Sequence, residues 1–170
     1  KRGLLMDIKV SEVIIKYLER LGIDYVFGIP GAHILPVYDA LFNSGIKSVL
    51  AKHEQGAAFM AGGYARIAGK PGVCIATAGP GATNLVTGLA NACVDGLPVL
   101  ALTGETPTYS FGKGALQESS GEGSCINQHD IFRGVTKYNV LVQRTDYLLT
   151  ILRKTTGILL SKNPGPVLLS

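Results

Sequence analysis

One carboxylate in the sequence stands at the head of a run of small residues. In KHEQGAAFMAGGYAR, residues 52–66, Glu54 has no Lys or Arg four residues later. The periodicity predicts that Glu54 begins a helix that runs to about Gly69. The residues that share its helix face are Ala57, Ala61, Tyr64, Ala65 and Ala68. Because this face is mostly Ala, we expect it to pack closely and Glu54 to point inward.

Two chemical interpretations of Glu54 follow from that position. A helix N-terminus stabilises a carboxylate by about 0.3–1 kcal/mol, whereas burial among Ala and Gly favours the neutral acid. A carboxyl group balanced in this way can share a proton with a ligand nitrogen. The alternative is that Glu54 is an ordinary acid in the first turn of a helix, where acids are favoured. The residues alone leave both interpretations open.

Two turns rich in Gly and Pro also precede predicted helices: GIPGA (28–32) and GPGATN (79–84). The second turn departs from G-x-G-x-x-G because its sixth position is Asn84, and Pro80 lacks an N–H for a phosphate. GIPG lacks the Lys of a P-loop. We interpret both turns as surfaces that a flat ring can approach closely, since Gly permits close approach and Pro stiffens the turn.

Strands and helices alternate along the chain. Short apolar strands are predicted at 25–29, 46–51, 73–78, 98–103, 138–142 and 166–169. This pattern is typical of a parallel sheet covered on both faces, so we predict an α/β fold, a three-layer α/β/α structure with a six-stranded parallel sheet. Ligands of such sheets bind beyond the carboxyl ends of the strands. GIPGA, AKHE and GPGATN all fall at that edge.

Residues 104–127 break the alternation. This segment contains five Gly and four Ser and has little periodicity. Long irregular segments inside compact domains are uncommon and are usually functional or mobile. We expect a functional loop.

The composition excludes several classes of function. With 170 residues, 46% apolar and 16% charged, the chain is suited to one densely packed domain. The net charge of +4 is scattered, which argues against nucleic-acid binding. No apolar run reaches the roughly 18 residues of a membrane span, and no signal peptide is visible.

The cysteines and histidines lack the spacing of a metal site, which argues against zinc. They are Cys74, Cys93, Cys125, His33, His53 and His129. We expect the cysteines to be small buried hydrophobic residues in a reducing compartment, and the protein to be cytoplasmic.

Six motifs, in this order, resemble those of thiamine diphosphate-dependent enzymes. They are FGIPGAHILPVYDAL, KHEQGAAFMAGGYAR, GKPGV, GPGATNLVTGLANA, LPVLALTGETPT and LQE. The set is most similar to the acetolactate synthase large subunit and its relatives, and it covers nearly the whole chain. The resemblance implies that residues 1–170 form a single pyrimidine-binding domain, a fragment of a longer three-domain enzyme of branched-chain amino acid biosynthesis.

The resemblance implies a catalytic role for Glu54. In the family, this Glu binds the N1′ nitrogen of the aminopyrimidine and so activates C2 of the thiazolium. C2 then attacks the carbonyl of a 2-keto acid, and carbon dioxide leaves. Gln117, in LQE, matches a second catalytic residue that reaches the reaction centre from the long loop.

The resemblance also implies cofactor-binding residues in both turns. Pro80 and Asn84 match positions that line the pyrimidine side of the pocket. The loop that faces the thiazolium from across a dimer is matched by Ile29, Pro30, Gly31 and Ala32.

The motifs depart from acetolactate synthases in two places. In a loop that usually reads G-x-P-G-G, Ala32 replaces the last Gly and His33 follows it, and Leu116 replaces the usual Phe before Gln117. His33 is either a substrate contact or acid–base group, or simply a partly exposed His in a loop. The reaction type is also left open: it is carboligation, simple decarboxylation or another acyl transfer. A non-catalytic binding or regulatory module and a dinucleotide-binding domain are further alternatives.

The diphosphate-binding domain of the family has no counterpart in this sequence. Its Gly-Asp-Gly motif and later Asn hold Mg²⁺ and the phosphates, and the nearest match here, GEG at 121–123, has Glu in place of Asp. We reject it as a metal site. The expected partners are therefore that domain, a small 2-keto acid, and a second subunit in a homodimer or dimer of dimers. We expect the small residues of the Glu54 helix to face that subunit, and the isolated domain to be inactive.

Overall fold

Six strands form one parallel sheet in the computed structural model, which describes residues 8–170. They are β1 (Tyr25–Gly28), β2 (Lys47–Leu50), β3 (Gly72–Ala76), β4 (Val99–Thr103), β5 (Tyr138–Val140) and β6 (Val167–Leu169). Their order across the sheet is β2-β1-β3-β4-β6-β5. The predicted six-stranded parallel sheet is confirmed.

Seven helices lie before and between these strands in residues 8–170. They are α1 (Val10–Arg20), α2 (Leu35–Phe42), α3 (Glu54–Ala68), α4 (Pro80–Thr83), α5 (Val86–Val94), α6 (Gln128–Phe132) and α7 (Leu148–Leu159). Single 3-10 turns lie at Ala32–Ile34, Thr108–Ser110 and Thr145–Tyr147. Among the described residues, none of the helices is long and apolar enough to cross a membrane.

The structure differs from the predicted helices in two places. The helix predicted after GPG is two segments, α4 and α5, because the N–H of Leu85 bonds the carbonyl of Ala82, three residues back, at 2.9 Å. The five-residue helix α6 was not predicted, because it is too short to show a helical period.

Alternate residues of the central strands face two separate cores. Val73 and Ile75 pack with α1, α2 and α7, whereas Cys74 and Ala76 pack with α3, α5 and α6. Helices therefore cover both faces, as the predicted three layers require. Burial raises the pKa of the Cys74 thiol to about 12 and makes it unreactive.

Small residues bring α3 against its own sheet and against α5. A Cβ atom on Gly72 would lie 1.9 Å from the carbonyl oxygen of Ala61, and one on Gly88 would lie 2.4 Å from Cβ of Ala58. Ala57 and Ala61 are completely buried within this chain. The expectation that the small residues of this helix face a second subunit is wrong for Ala57, Ala58, Ala61 and Ala65, which are used in close packing inside the domain, whereas Gly63 and Ala68 are exposed.

Candidate active site

Glu54 lies where the predicted helix begins, at the carboxyl edge of the sheet. Strand β2 ends at Leu50, and α3 starts at Glu54 after an extended residue, His53, whose Nδ1 accepts the N–H of Gln55 at 3.1 Å. Gly69, with φ 64°, ends the helix. The local sequence therefore places the carboxylate in the first turn of a helix, next to its unpaired backbone N–H groups.

Asn84 is the direct partner of Glu54. Its Nδ2 donates to Oε2 of Glu54 at 2.9 Å, across 30 residues of sequence. Oε1 of Glu54 has no hydrogen-bond partner within residues 8–170. One oxygen of the carboxylate is therefore held, while the other is available to a ligand.

Gly81 keeps the space beside the Glu54 carboxylate open. A Cβ atom at this position would lie 2.7 Å from Cγ2 of Thr77 and 3.3 Å from Oε1 of Glu54. Any side chain would therefore press on Thr77 and crowd the free oxygen. The GPGATN turn thus fits the interpretation of a close-approach surface.

The turn after β1 contacts Thr77, which directly follows β3, at the same carboxyl edge of the sheet. We call the loops along this edge the rim. A Cβ atom on Gly31 would lie 2.6 Å from Cβ of Thr77, so the two loops touch at this point. Ile29 is partly buried, whereas Pro30 and Ala32 are exposed beside it, and Pro80 is exposed on the neighbouring turn. Sequence reasoning missed Thr77, although a polar residue directly after a buried strand marks this edge.

Gln117 reaches this rim from the long loop. Thr77 Oγ1 donates to Oε1 of Gln117 at 3.0 Å, and Nδ1 of His33 lies 3.2 Å from the same oxygen. The GPG turn supports the loop as well, because a Cβ atom on Gly79 would lie 2.9 Å from the carbonyl oxygen of Gln117. The structure therefore brings Gln117 and His33 together beside Thr77.

Two further acids, both missed from the sequence, hold the long loop. Glu118 accepts backbone N–H groups from Gly112 and from Ala115, the latter at 3.1 Å, and the hydroxyl of Ser120 at 2.9 Å. The N–H of Gly112, followed by the Ser120 hydroxyl, lowers the pKa of Glu118 against the opposing effect of burial. Glu105, after β4, accepts the N–H of Thr106 at 2.8 Å.

A buried polar network joins the end of the loop to the sheet. The Ser119 hydroxyl lies 2.7 Å from Oε2 of Glu105 and 3.0 Å from Oε1 of Gln128. Nε2 of Gln128 donates to the hydroxyls of Thr103 at 3.0 Å and Ser170 at 2.9 Å. Ser119 and Gln128 are fully buried, so these bonds fix the loop to β4 and to Ser170, directly after β6.

Metal ligands do not gather in the described part of the chain. No three residues among its His, Cys, Asp and Glu side chains are arranged to hold a metal ion. Gly121, Glu122 and Gly123 of GEG are exposed in the loop, away from a strand end.

Comparison with known proteins gives the family of this fold and site. Residues 8–124 match the family described as thiamine pyrophosphate enzyme, N-terminal TPP binding domain. The chain belongs to the thiamine pyrophosphate enzyme family. The family assignment agrees with the resemblance drawn from the six sequence motifs.

Several curated relatives of the chain are acetolactate synthases. The chain is 46% identical over 158 residues to the acetolactate synthase isozyme 2 large subunit of Escherichia coli, covering 93% of this chain and 28% of that protein. It is 44% identical over 159 residues to the probable acetolactate synthase large subunit of Methanocaldococcus jannaschii, covering 94% and 26%. The mitochondrial acetolactate synthase catalytic subunit of Saccharomyces cerevisiae is 46% identical over 159 residues, covering 93% and 22%. The chain thus spans about a quarter of the length of these relatives.

Proposed function

We propose that this chain supplies the aminopyrimidine-activating half of the active site of a thiamine diphosphate-dependent enzyme. The reaction would be 2-keto acid decarboxylation and carboligation, as in an acetolactate synthase. The observation that carries the proposal is the Glu54 carboxylate, with Oε2 held by Asn84 and Oε1 free beside Gly81. A fixed carboxylate with one free oxygen suits a ring nitrogen that must be bound in one orientation.

The residues of this chain would divide the work at the rim. Thiamine diphosphate, when bound, supplies the carbon nucleophile and stabilises the carbanion. Oε1 of Glu54 would share a proton with a nitrogen of the aminopyrimidine, and Asn84 would keep the carboxylate in place. Pro80 would line the pyrimidine side, and Gln117 would present its amide to the reacting end.

The turn at Ile29, Pro30, Gly31 and Ala32 would face the thiazolium of a site shared between subunits. The diphosphate and Mg²⁺ would be held by a diphosphate-binding domain of the same enzyme, outside residues 1–170. On this proposal the chain alone is inactive, and residues 1–170 act as one domain of a larger cytoplasmic protein.

A second subunit is part of this proposal, as a homodimer or a dimer of dimers. The exposed side of α3 suits it, since Phe59 and Ile67 lie on one stripe with Gly63 between them, and Ile67 is 87% exposed. Val94 of α5 is 88% exposed, and an ion pair between Arg66 and Asp95 joins the ends of these two helices. We call Phe59, Gly63, Ile67 and Val94 the α3–α5 face.

The test replaces Glu54 and measures activation of the cofactor itself. The chain is combined with the diphosphate-binding domain, Mg²⁺ and thiamine diphosphate in D₂O, and hydrogen exchange at C2 is followed by NMR. Glu54→Gln keeps the shape but cannot share the proton in the same way. We expect exchange to slow by about 10²–10⁴-fold, and to be absent without the added domain.

Glu12→Gln is the matched control, because Glu12 is also an acid in the first turn of a helix, α1, and is exposed. It should exchange at the wild-type rate. Equal rates for Glu54→Gln and Glu12→Gln would mean that Glu54 is an ordinary helix-start acid, and the catalytic proposal would fail.

A further inference from the structure

The side-chain oxygen of Gln117 is the meeting point of two other side chains. Oε1 lies 3.0 Å from Thr77 Oγ1, which donates to it, and 3.2 Å from Nδ1 of His33. An amide oxygen has two lone pairs, so Oε1 can accept from Thr77 and, when Nδ1 of His33 carries the proton, from His33 as well. In that arrangement the amide nitrogen of Gln117 points away from both residues.

The backbone of Gln117 is held in an uncommon conformation. Its φ of 55° is the only positive value at a non-glycine residue within residues 8–170. Left-handed conformations of such residues are unfavourable, so the surroundings must enforce this one. The next residue, Glu118, does so by binding loop N–H groups of Gly112 and Ala115, and Gly79 closes the space behind the Gln117 carbonyl.

His33 is fixed from the other side of the rim. It lies in the 3-10 turn Ala32–Ile34 after Gly31 and is partly buried. A Cβ atom on Gly104, directly after β4, would lie 2.5 Å from Cβ of His33. The residue is thus clamped between the first turn and the end of a central strand.

We propose that His33 is a positioning residue: its Nδ1–H donates to Gln117 and, together with Thr77, turns the Gln117 amide nitrogen toward the ligand side of the rim. A neutral imidazole can do this only as the Nδ1–H tautomer. With the Gln117 amide rotated by half a turn, its nitrogen would instead donate to an unprotonated Nδ1, and an oxygen would face the ligand. The role of His33 in the reaction rests on the proposed function, but the hydrogen bond does not.

The tautomer of His33 is measured directly by ¹⁵N NMR of histidine-labelled chain at about pH 8, where an ordinary imidazole is neutral. The His33→Asn variant assigns its signals among those of the three histidines. We expect a protonated Nδ1 and an unprotonated Nε2. The opposite tautomer would overturn the proposal, whatever the activity of the protein.

Three variants test the positioning role with the complete enzyme. Asn places an NH₂ group where Nδ1 of His33 lies, whereas Gln reaches further and Ala has no donor. We expect His33→Ala and His33→Gln to lower kcat roughly three- to tenfold, the size of one lost hydrogen bond, and His33→Asn to restore most of it. Equal losses in all three, with unchanged melting temperatures, would overturn the role.

A double-mutant cycle then links His33 to Gln117. In a Gln117→Ala background, His33→Ala should cause no further loss of kcat, because its target is gone. Independent losses would overturn the proposal. If Gln117→Ala alone leaves kcat unchanged, the proposed role of Gln117 fails together with the positioning role, while C2 exchange still tests Glu54.

Discussion

At the scale of single residues, the glutamates near the rim differ in how their oxygens are used. Glu118 and Glu105 accept several backbone N–H and hydroxyl groups, which makes them anchors of the long loop. Glu54 accepts one amide N–H and keeps its second oxygen free of partners among the described residues. The hydrogen bonds, rather than the residue type, single out the acid that can act on a ligand.

Glu118 gives this region a predictable response to pH. Because backbone N–H groups lower its pKa in the folded state, the ionised form stabilises the fold. That contribution is complete above the ordinary Glu value of about 4.3 and is lost as the pH falls through the lowered pKa. Glu118→Gln should therefore reduce the free energy of unfolding at neutral pH, and the difference from wild type should close in acid.

Urea unfolding at neutral and acidic pH measures this difference. Glu122→Gln is the matched control, because Glu122 lies in the same loop but is exposed. It should leave stability nearly unchanged throughout. A Glu118→Gln difference that is the same at every pH would show that its carboxylate does not act through ionisation.

At the scale of elements, α3 and α5 show how small residues position the site. Both helices follow loops of the carboxyl edge, so their close contact sets the distance between Glu54 and Asn84. Ala58 touches the space that a side chain at Gly88 would need. The packing of these helices therefore controls the geometry of the Glu54–Asn84 pair.

Two Gly-to-Ala substitutions distinguish the effect of helix propensity on stability from the effect of this close packing. Ala is intrinsically better than Gly in a helix by about 0.5–1 kcal/mol. A Cβ atom on Gly157 of α7 would meet no neighbouring side chain or strand of residues 8–170 within 4 Å, so Gly157→Ala should stabilise the chain by about that amount. Gly88→Ala forces an overpacked contact and should instead destabilise it by about 1–3 kcal/mol.

Chemical denaturation of both variants gives the two changes in the free energy of unfolding, provided that its slope against denaturant concentration stays the same as in the wild type. Gly88→Ala should also disturb the Glu54–Asn84 pair and slow C2 exchange. Stabilisation by both substitutions would mean that α3 and α5 have room to separate.

At the scale of the whole molecule, the two sides of α3 have different roles. Ala57, Ala58, Ala61 and Ala65 are buried against the sheet and α5, while Phe59 and Ile67 are exposed on the opposite side. Exposed apolar residues on one helix stripe are typical of a protein–protein contact. The proposed subunit contact therefore belongs to the larger side chains of α3.

We predict that Ile67→Lys weakens self-association through the α3–α5 face. A buried Lys without a partner is strongly unfavourable in an interface. Sedimentation equilibrium should show the wild-type chain as a dimer and Ile67→Lys as mostly monomer. Phe42→Lys is the control: Phe42 is 89% exposed but lies on α2, and its dimer should persist. A wild-type monomer at high concentration would contradict the proposed face.

Much of the site was accessible from sequence because it depends on local rules. The helix start at Glu54, its end at Gly69 and the turn at Gly79 follow from residue type and periodicity. Thr77, Glu105 and Glu118 were missed, since a hydroxyl after a strand or an acid in a loop carries no periodic signal. Their partners are distant in sequence, as with the 40 positions between Thr77 and Gln117.

The sequence by itself determined the layers, the parallel sheet, the helix that begins with Glu54 and the edge where the turns meet. Those features depend on apolar periodicity and on the backbone preferences of Gly and Pro, which act within a few residues. Only the tertiary structure decided which side chains meet: Asn84 with Glu54, and His33 with Gln117. It also decided that Ala58 of α3 packs against Gly88 of α5, because close packing depends on shapes that distant segments bring together.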